Sequence, residues 1–240
     1  MTTHNGNYRP DIVLFQWQEN QGTETQTSLR KFLSFLKMNK VTAPIRFSYI
    51  DREGSLLPGL SLKENISLDS IPSTVSASKE FTLEDHLERL GNKALITLYQ
   101  KIDLVEDLPY QVDAKTRKIA ALVKGLLQKS DYLFMDSPER YLDDATLEIF
   151  TNALQNSLEN NGQTLFLVSD NLQTWTPYVT KTVTEKTCPQ TGKLDMLIED
   201  KVVRSFTASL KESTVEDGLL IFNHPTAPLP LPLQKVKKAS

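Results

Sequence analysis

Apolar positions along this chain switch between two spacings. DIVLFQW, residues 11–17, is a short continuous apolar run with β-branched and aromatic members, which predicts a buried strand. Beyond the polar stretch QENQGTETQT, SLRKFLSFLK sets Leu29, Phe32, Leu33 and Leu36 at helical spacing, with Arg30, Lys31 and Lys37 on the other side. PIRFSYI (44–50) predicts a second strand, and LLPGLSLKENI (56–66) a loop running into a short apolar-periodic segment. Serine-rich SLDSIPSTVSASKE (67–80) predicts a linker or mobile loop.

The middle of the chain keeps to the helical period. Thr82 and Asp85 have the spacing of a capping box for a helix carrying Leu83, Leu87 and Leu90. A second helix carries Leu95, Leu98 and Ile102, and between Ala114 and Lys129 a stripe of Ile119, Leu122, Val123, Leu126 and Leu127 marks a third. DYLFMD then reads as a strand, 143–160 as a helix with Leu147, Phe150, Leu154 and Leu158 on one face, and QTLFLVSD (163–170) as another strand. Strands alternating with helices imply right-handed crossovers and a parallel sheet covered on both faces, an α/β fold. Residues 179–206 change to alternation around the turn signal CPQTGK, which predicts an edge β-hairpin. The tail at 223–240 is proline-rich with a basic finish and is expected to be extended and mobile.

Composition narrows the function classes. The 240 residues fit one domain with appendages, here 1–222 followed by the tail, and the net charge of −3 gives no reason to expect nucleic-acid binding. One cysteine, Cys188, leaves no internal disulfide and no multi-cysteine zinc site, and points to a reducing compartment. No secretory leader and no membrane span are expected, so the chain is read as cytoplasmic.

Three collinear stretches give the chain a resemblance to the ATP-binding cassette nucleotide-binding domains, over about residues 11–205. SLLPGLSLKENISL is similar to the segment after that family's glutamine loop. LPYQVDAKTRKIAALVKGLLQKSDYLFMDSPERYLDD is similar to the signature loop, its helix, the Walker B strand and the D-loop, without a gap. GQTLFLVSDNL is similar to the strand leading to the switch histidine. The resemblance implies a P-loop NTPase-like parallel sheet core with a helical subdomain at about 67–130.

It also implies what should stand at each chemical position. The phosphate loop would be NQGTETQTS, with Gly22 kept, Gln26 where the family has lysine, and Thr27 at the magnesium hydroxyl. A loop poor in glycine and without that lysine is expected to cradle phosphate badly. Arg52 takes the place of the magnesium-linked glutamine, and Asp113 the place of the signature serine. Asp136 keeps the Walker B aspartate, Ser137 replaces the catalytic glutamate, and Asp170 replaces the switch histidine. Fewer residues than usual precede the phosphate loop, and their aromatics, Tyr8 and Trp17, are not expected to form an adenine platform.

From these departures the chain is expected to be a non-catalytic pseudo-ATPase, with no cofactor, acting as a structural or regulatory component of a membrane-associated, transporter-type complex. Its partners would be a membrane permease subunit, an active cassette ATPase or a second copy of itself, at the inner face of the membrane. The first alternative is a weakly active or nucleotide-sensing ATPase, with Thr27 and Asp136 for magnesium and Glu139 or Asp170 for water. The second is an unrelated α/β enzyme with a strand-end site at Asp136, Ser137 and Asp170, which lacks the histidine of a hydrolase triad.

Overall fold

The computed structural model describes residues 10–16, 24–38, 45–68, 70, 82–187 and 194–200. Their strands are β1 (Ile12–Gln16), β2 (Phe47–Ile50), β3 (Tyr132–Asp136), β4 (Thr164–Val168), β5 (Lys181–Thr187) and β6 (Leu194–Asp200). Their helices are α1 (Glu24–Met38), α2 (Leu62–Ser67), α3 (Leu83–Leu90), α4 (Lys93–Tyr99), α5 (Ala114–Leu127), α6 (Asp144–Asn161) and the short α7 (Leu172–Trp175). The sheet runs β2-β3-β4-β1-β5-β6, parallel except for the antiparallel β5–β6 pair at its edge. This is the α/β sheet with an antiparallel edge pair that the alternation of elements predicts.

Both faces of the central strands are buried, which is why they read as unbroken apolar runs rather than as alternations. Ile12, Leu14, Leu133, Met135, Leu165 and Leu167 face one core with α4, α5 and α6. Val13, Phe15, Tyr132, Phe134, Phe166 and Val168 face the other, where Phe32, Phe35 and Leu36 of α1 pack. Alternation along β3 therefore puts Asp136, two residues after Phe134, on the α1 side. Register brings the C-terminal ends of three strands level, with Ile50 beside Met135 and Asp136 beside Val168.

Local signals account for most boundaries. Ser61 and Glu64 form a reciprocal capping box on α2, and Thr82 and Asp85 form the expected one on α3. Gly91 ends α3 and Gly162 ends α6, each left-handed, where a Cβ is disfavoured. Helix α5 lies close on β2 at Gly125, where a Cβ would come within 2.3 Å of Ile50 Cδ1.

Several expectations are corrected. Helix α1 starts at Glu24, inside the stretch expected to be the phosphate loop, so Gln26 and Thr27 lie in its first turn. Leu33 is exposed while Phe35 is buried, because α1 turns the Phe32–Phe35–Leu36 stripe to the sheet. Leu90 is largely exposed, and Ile102 is buried beyond the end of α4. Tyr8, Trp17, Gly22, most of the serine-rich segment, the turn around Cys188 and the tail lie outside the described residues. Among the described residues, no helix is long and apolar enough to cross a membrane.

Candidate functional site

Three loops leave the C-terminal ends of β2, β3 and β4 on one side of the sheet, the usual place for a ligand in an open α/β fold. They bring together four of the residues singled out from the sequence. Arg52 donates from Nη2 to Asp170 Oδ1 at 2.7 Å, and its Nε stands 3.6 Å from Asp136 Oδ1. Ser137 donates from Oγ to Asp136 Oδ1 at 3.1 Å. Ser28, in the second turn of α1, stands close enough to help hold down the pKa of the same carboxyl. The strand-end aspartate and the start of α1 are thus neighbours.

Asp136 is fully buried, and its Oδ2 has no hydrogen-bond partner among the described residues. Burial raises its pKa, against the opposing pull of Arg52, Ser137, Ser28 and Lys118. A buried carboxylate oxygen without a partner is costly unless something else takes it up. Magnesium held together with a nucleotide typically uses one or two carboxylates plus phosphate oxygens and water. Among the described residues no three metal-ligating side chains cluster, and Asp136 Oδ2 fits the single-carboxylate arrangement.

Ser137 is held in the left-handed region, φ 44°, by an N–H bond to Val168 O of 2.8 Å. Its backbone is clamped to β4 and its hydroxyl to Asp136, so it orients that carboxylate. Asp113 lies elsewhere, at the start of α5, where its Oδ1 accepts the Thr116 N–H at 2.6 Å. That bond to the backbone keeps its pKa below the usual carboxylate range. Two residues on, Lys115 pairs with Asp143.

Two residues matter more here than their sequence positions suggest. Both carboxylate oxygens of Glu139 are taken up by neighbours. Its Oε1 accepts from Ser169 Oγ at 2.7 Å and from the N–H groups of Asp170 and Asn171 at 3.2 and 3.3 Å. Its Oε2 accepts from the indole N–H of fully buried Trp175 at 2.9 Å. It ties the loop after β3 to the loop after β4 and so fixes Asp170.

Lys118 is the second. Its ammonium, fully buried, donates to the carbonyls of Asp51 at 2.7 Å and Arg52 at 3.0 Å, and reaches Asp136 O at 3.4 Å. Gly54, with φ +67°, lets that loop lie on α5, since a Cβ there would come within 2.9 Å of Lys118 Cα. A lysine on the apolar stripe of a helix, four residues before Leu122, was the available signal, because lysine is rarely buried without partners.

Burial lowers the Lys118 pKa from 10.5 to about 8, despite the pull of Asp51, Asp136, Glu139 and Glu53. Between those values the unfolded chain binds more protons than the folded one, so this lysine's contribution to stability rises with pH across that window. The stability difference between wild type and Lys118→Met is expected to move toward wild type by about 1–2 kcal/mol from about pH 7.5 to about pH 9.5. Urea unfolding at both pH values measures it, and a difference independent of pH would contradict the assignment.

Comparison with protein-family profiles finds no match. A curated relative, the thiamine import ATP-binding protein ThiQ of Ruegeria sp. (strain TM1040), is 28% identical over 119 residues, 49% of this chain and 48% of the relative. The match therefore spans about half the length of that relative. Among solved structures, the post-hydrolysis dimer of the ATP-binding cassette MJ0796, bound to ADP and phosphate, aligns with a TM-score of 0.51 at 12% identity, over 73% of this chain and 80% of that one. An ATP-binding subunit of an ABC transporter aligns with a TM-score of 0.52 at 16% identity, over 72% of this chain and 74% of its own.

These relatives correct two expectations, that the chain is no enzyme and that it takes no cofactor. The curated relative is an ATP-binding protein, and a structure sharing the fold holds ADP and phosphate. The physical reason lies in what phosphate binding uses. Much of it comes from the amides of a helix's first turn, which no side-chain replacement removes. Here that turn is present at Glu24–Thr27, and Asp136 stands by the next one.

Proposed function

We propose, from the premise that this chain has the fold of the ATP-binding cassette ATPases, that it is a nucleotide-binding ATPase subunit of a transporter-type assembly, with slow turnover suited to a regulatory role. The observation that carries the reading is Asp136, buried at the end of β3 beside α1, with Oδ2 free of any partner among the described residues. The likeness in sequence to an import ATP-binding protein supports the transporter setting.

The roles of the residues follow from their places. The first turn of α1 leaves backbone N–H groups without helical partners, and these suit the phosphate chain. Asp136 would hold a magnesium ion, its carboxyl aimed by the Ser137 hydroxyl. Magnesium bound with ATP would neutralise charge on the terminal phosphates. Glu139 is committed to Ser169, Asp170, Asn171 and Trp175, and Ser137 has no carboxylate, so the exposed Asp170 is the group left to orient water. An exposed carboxylate paired with Arg52 is a weak base, and slow turnover results. In the assembly, a second copy or an active cassette ATPase would complete the nucleotide site, and α2, α3 and α4 would face a permease at the inner side of the membrane.

Phosphate release from purified protein tests this. Wild type is expected to hydrolyse ATP slowly but saturably, and Asp136→Ala to lose that activity. Equal phosphate release from the two proteins would sink the ATPase assignment.

A further inference from the structure

Arg52 occupies an unusual electrostatic position. Its side chain is only 15% exposed and lies between two carboxylates from different strand ends, Asp170 at 2.7 Å and Asp136 at 3.6 Å. The loop that carries it is fixed from behind, since Lys118 bonds the carbonyls of Asp51 and Arg52 and Asp51 Oδ1 accepts the Ser55 N–H at 2.8 Å. The guanidinium is therefore a pre-positioned, permanent cation. It faces Asp136 Oδ1, whereas Oδ2 of the same buried carboxylate has no partner among the described residues. One oxygen is already matched to a positive charge and the other is not.

We infer that Arg52 is a built-in counter-ion of the nucleotide site: its guanidinium carries part of the positive charge a divalent cation would otherwise supply, and it competes with that cation for Asp136. The inference rests on the nucleotide-binding reading above and adds the metal dependence of that site. Two consequences follow from charge alone. A carboxylate that already faces a cation draws a second one less strongly, so divalent metal binds weakly at Asp136. Phosphate bound at the first turn of α1 would also be drawn by the guanidinium, so ATP is expected to bind with little help from metal.

The test is calorimetric titration of the full chain with ATP, in magnesium buffer and in EDTA, for wild type, Arg52→Gln and Arg52→Lys. Binding of Mn²⁺ alone is followed by electron paramagnetic resonance. Wild-type affinity for ATP is expected to change by less than about threefold between the two buffers, a small effect for a charge already in place. Arg52→Gln is expected to bind ATP about tenfold more weakly in EDTA, to recover with magnesium, and to bind Mn²⁺ about tenfold more tightly than wild type. Arg52→Lys, which keeps the charge, is expected to stay near wild type in magnesium dependence.

Equal magnesium dependence in wild type and Arg52→Gln overturns the inference and leaves the nucleotide reading intact. Absence of ATP binding by wild type in either buffer overturns both. If Arg52→Gln does not fold, wild type decides alone: ATP binding that needs magnesium by tenfold or more, on the order of a full unit charge lost, rejects the inference.

Discussion

Phe134→Ala is expected to lower the unfolding free energy by about 3–5 kcal/mol, the loss typical of a large buried aromatic replaced by alanine. The ring is fully buried and stacks on Phe32 at 4.6 Å and on Tyr49 at 5.3 Å, with Phe15 edge-on at 6.4 Å. It therefore joins β1, β2, β3 and α1 at one point, and a cavity there has rigid walls. Domains of this size are stable by only about 5–15 kcal/mol, so much of the total is at stake. Urea unfolding measures the loss, with Phe134→Leu expected to lose less because more of the volume remains filled. An unchanged midpoint in Phe134→Ala would mean that the α1 face is not packed around this ring. Asp136 lies two residues on, so the same packing that stabilises the fold aims the carboxylate toward α1.

Glu139→Ala is expected to cost about 2–4 kcal/mol, because it strips four hydrogen bonds from one carboxylate and leaves a buried indole donor unsatisfied. Glu139→Gln keeps one acceptor oxygen and should lose less. The loop after β4 loses its anchor in Glu139→Ala, so a change in tryptophan emission is expected from Trp175. Wild-type stability and emission in Glu139→Ala would show that the two loops are held together by something else.

Much of the fold was legible because the signals were local. The Thr82–Asp85 capping box, the stripe from Ile119 to Leu127 and the edge hairpin each depend on residues close in sequence. Leu33 and Phe35 were harder, since both fit a helical stripe and only the packing of α1 on Phe15, Phe134 and Phe166 decides which one turns inward.

The site divides in the same way. The register of three strand ends brought Arg52, Asp136, Ser137 and Asp170 together, and their alignment along the chain pointed there. What these residues do to one another was not legible. The Arg52 ion pairs span 84 and 118 residues of chain, the Lys118 bonds about 66, and the Glu139 bonds about 30 or more. Such partners are set by tertiary distance, and a residue-by-residue comparison with a motif cannot supply them. That comparison weighed lost side chains and gave no weight to backbone amides at the start of α1, which led to the reading of a protein without cofactor or activity.

The central claim is that a nucleotide binds at the end of β3 beside α1. Calorimetric titration of wild type with Mg-ATP, carried to millimolar ligand, tests it most directly. The account predicts saturable binding with a Kd below about 1 mM, about 4 kcal/mol or more. No heat from wild type at millimolar ligand would contradict it.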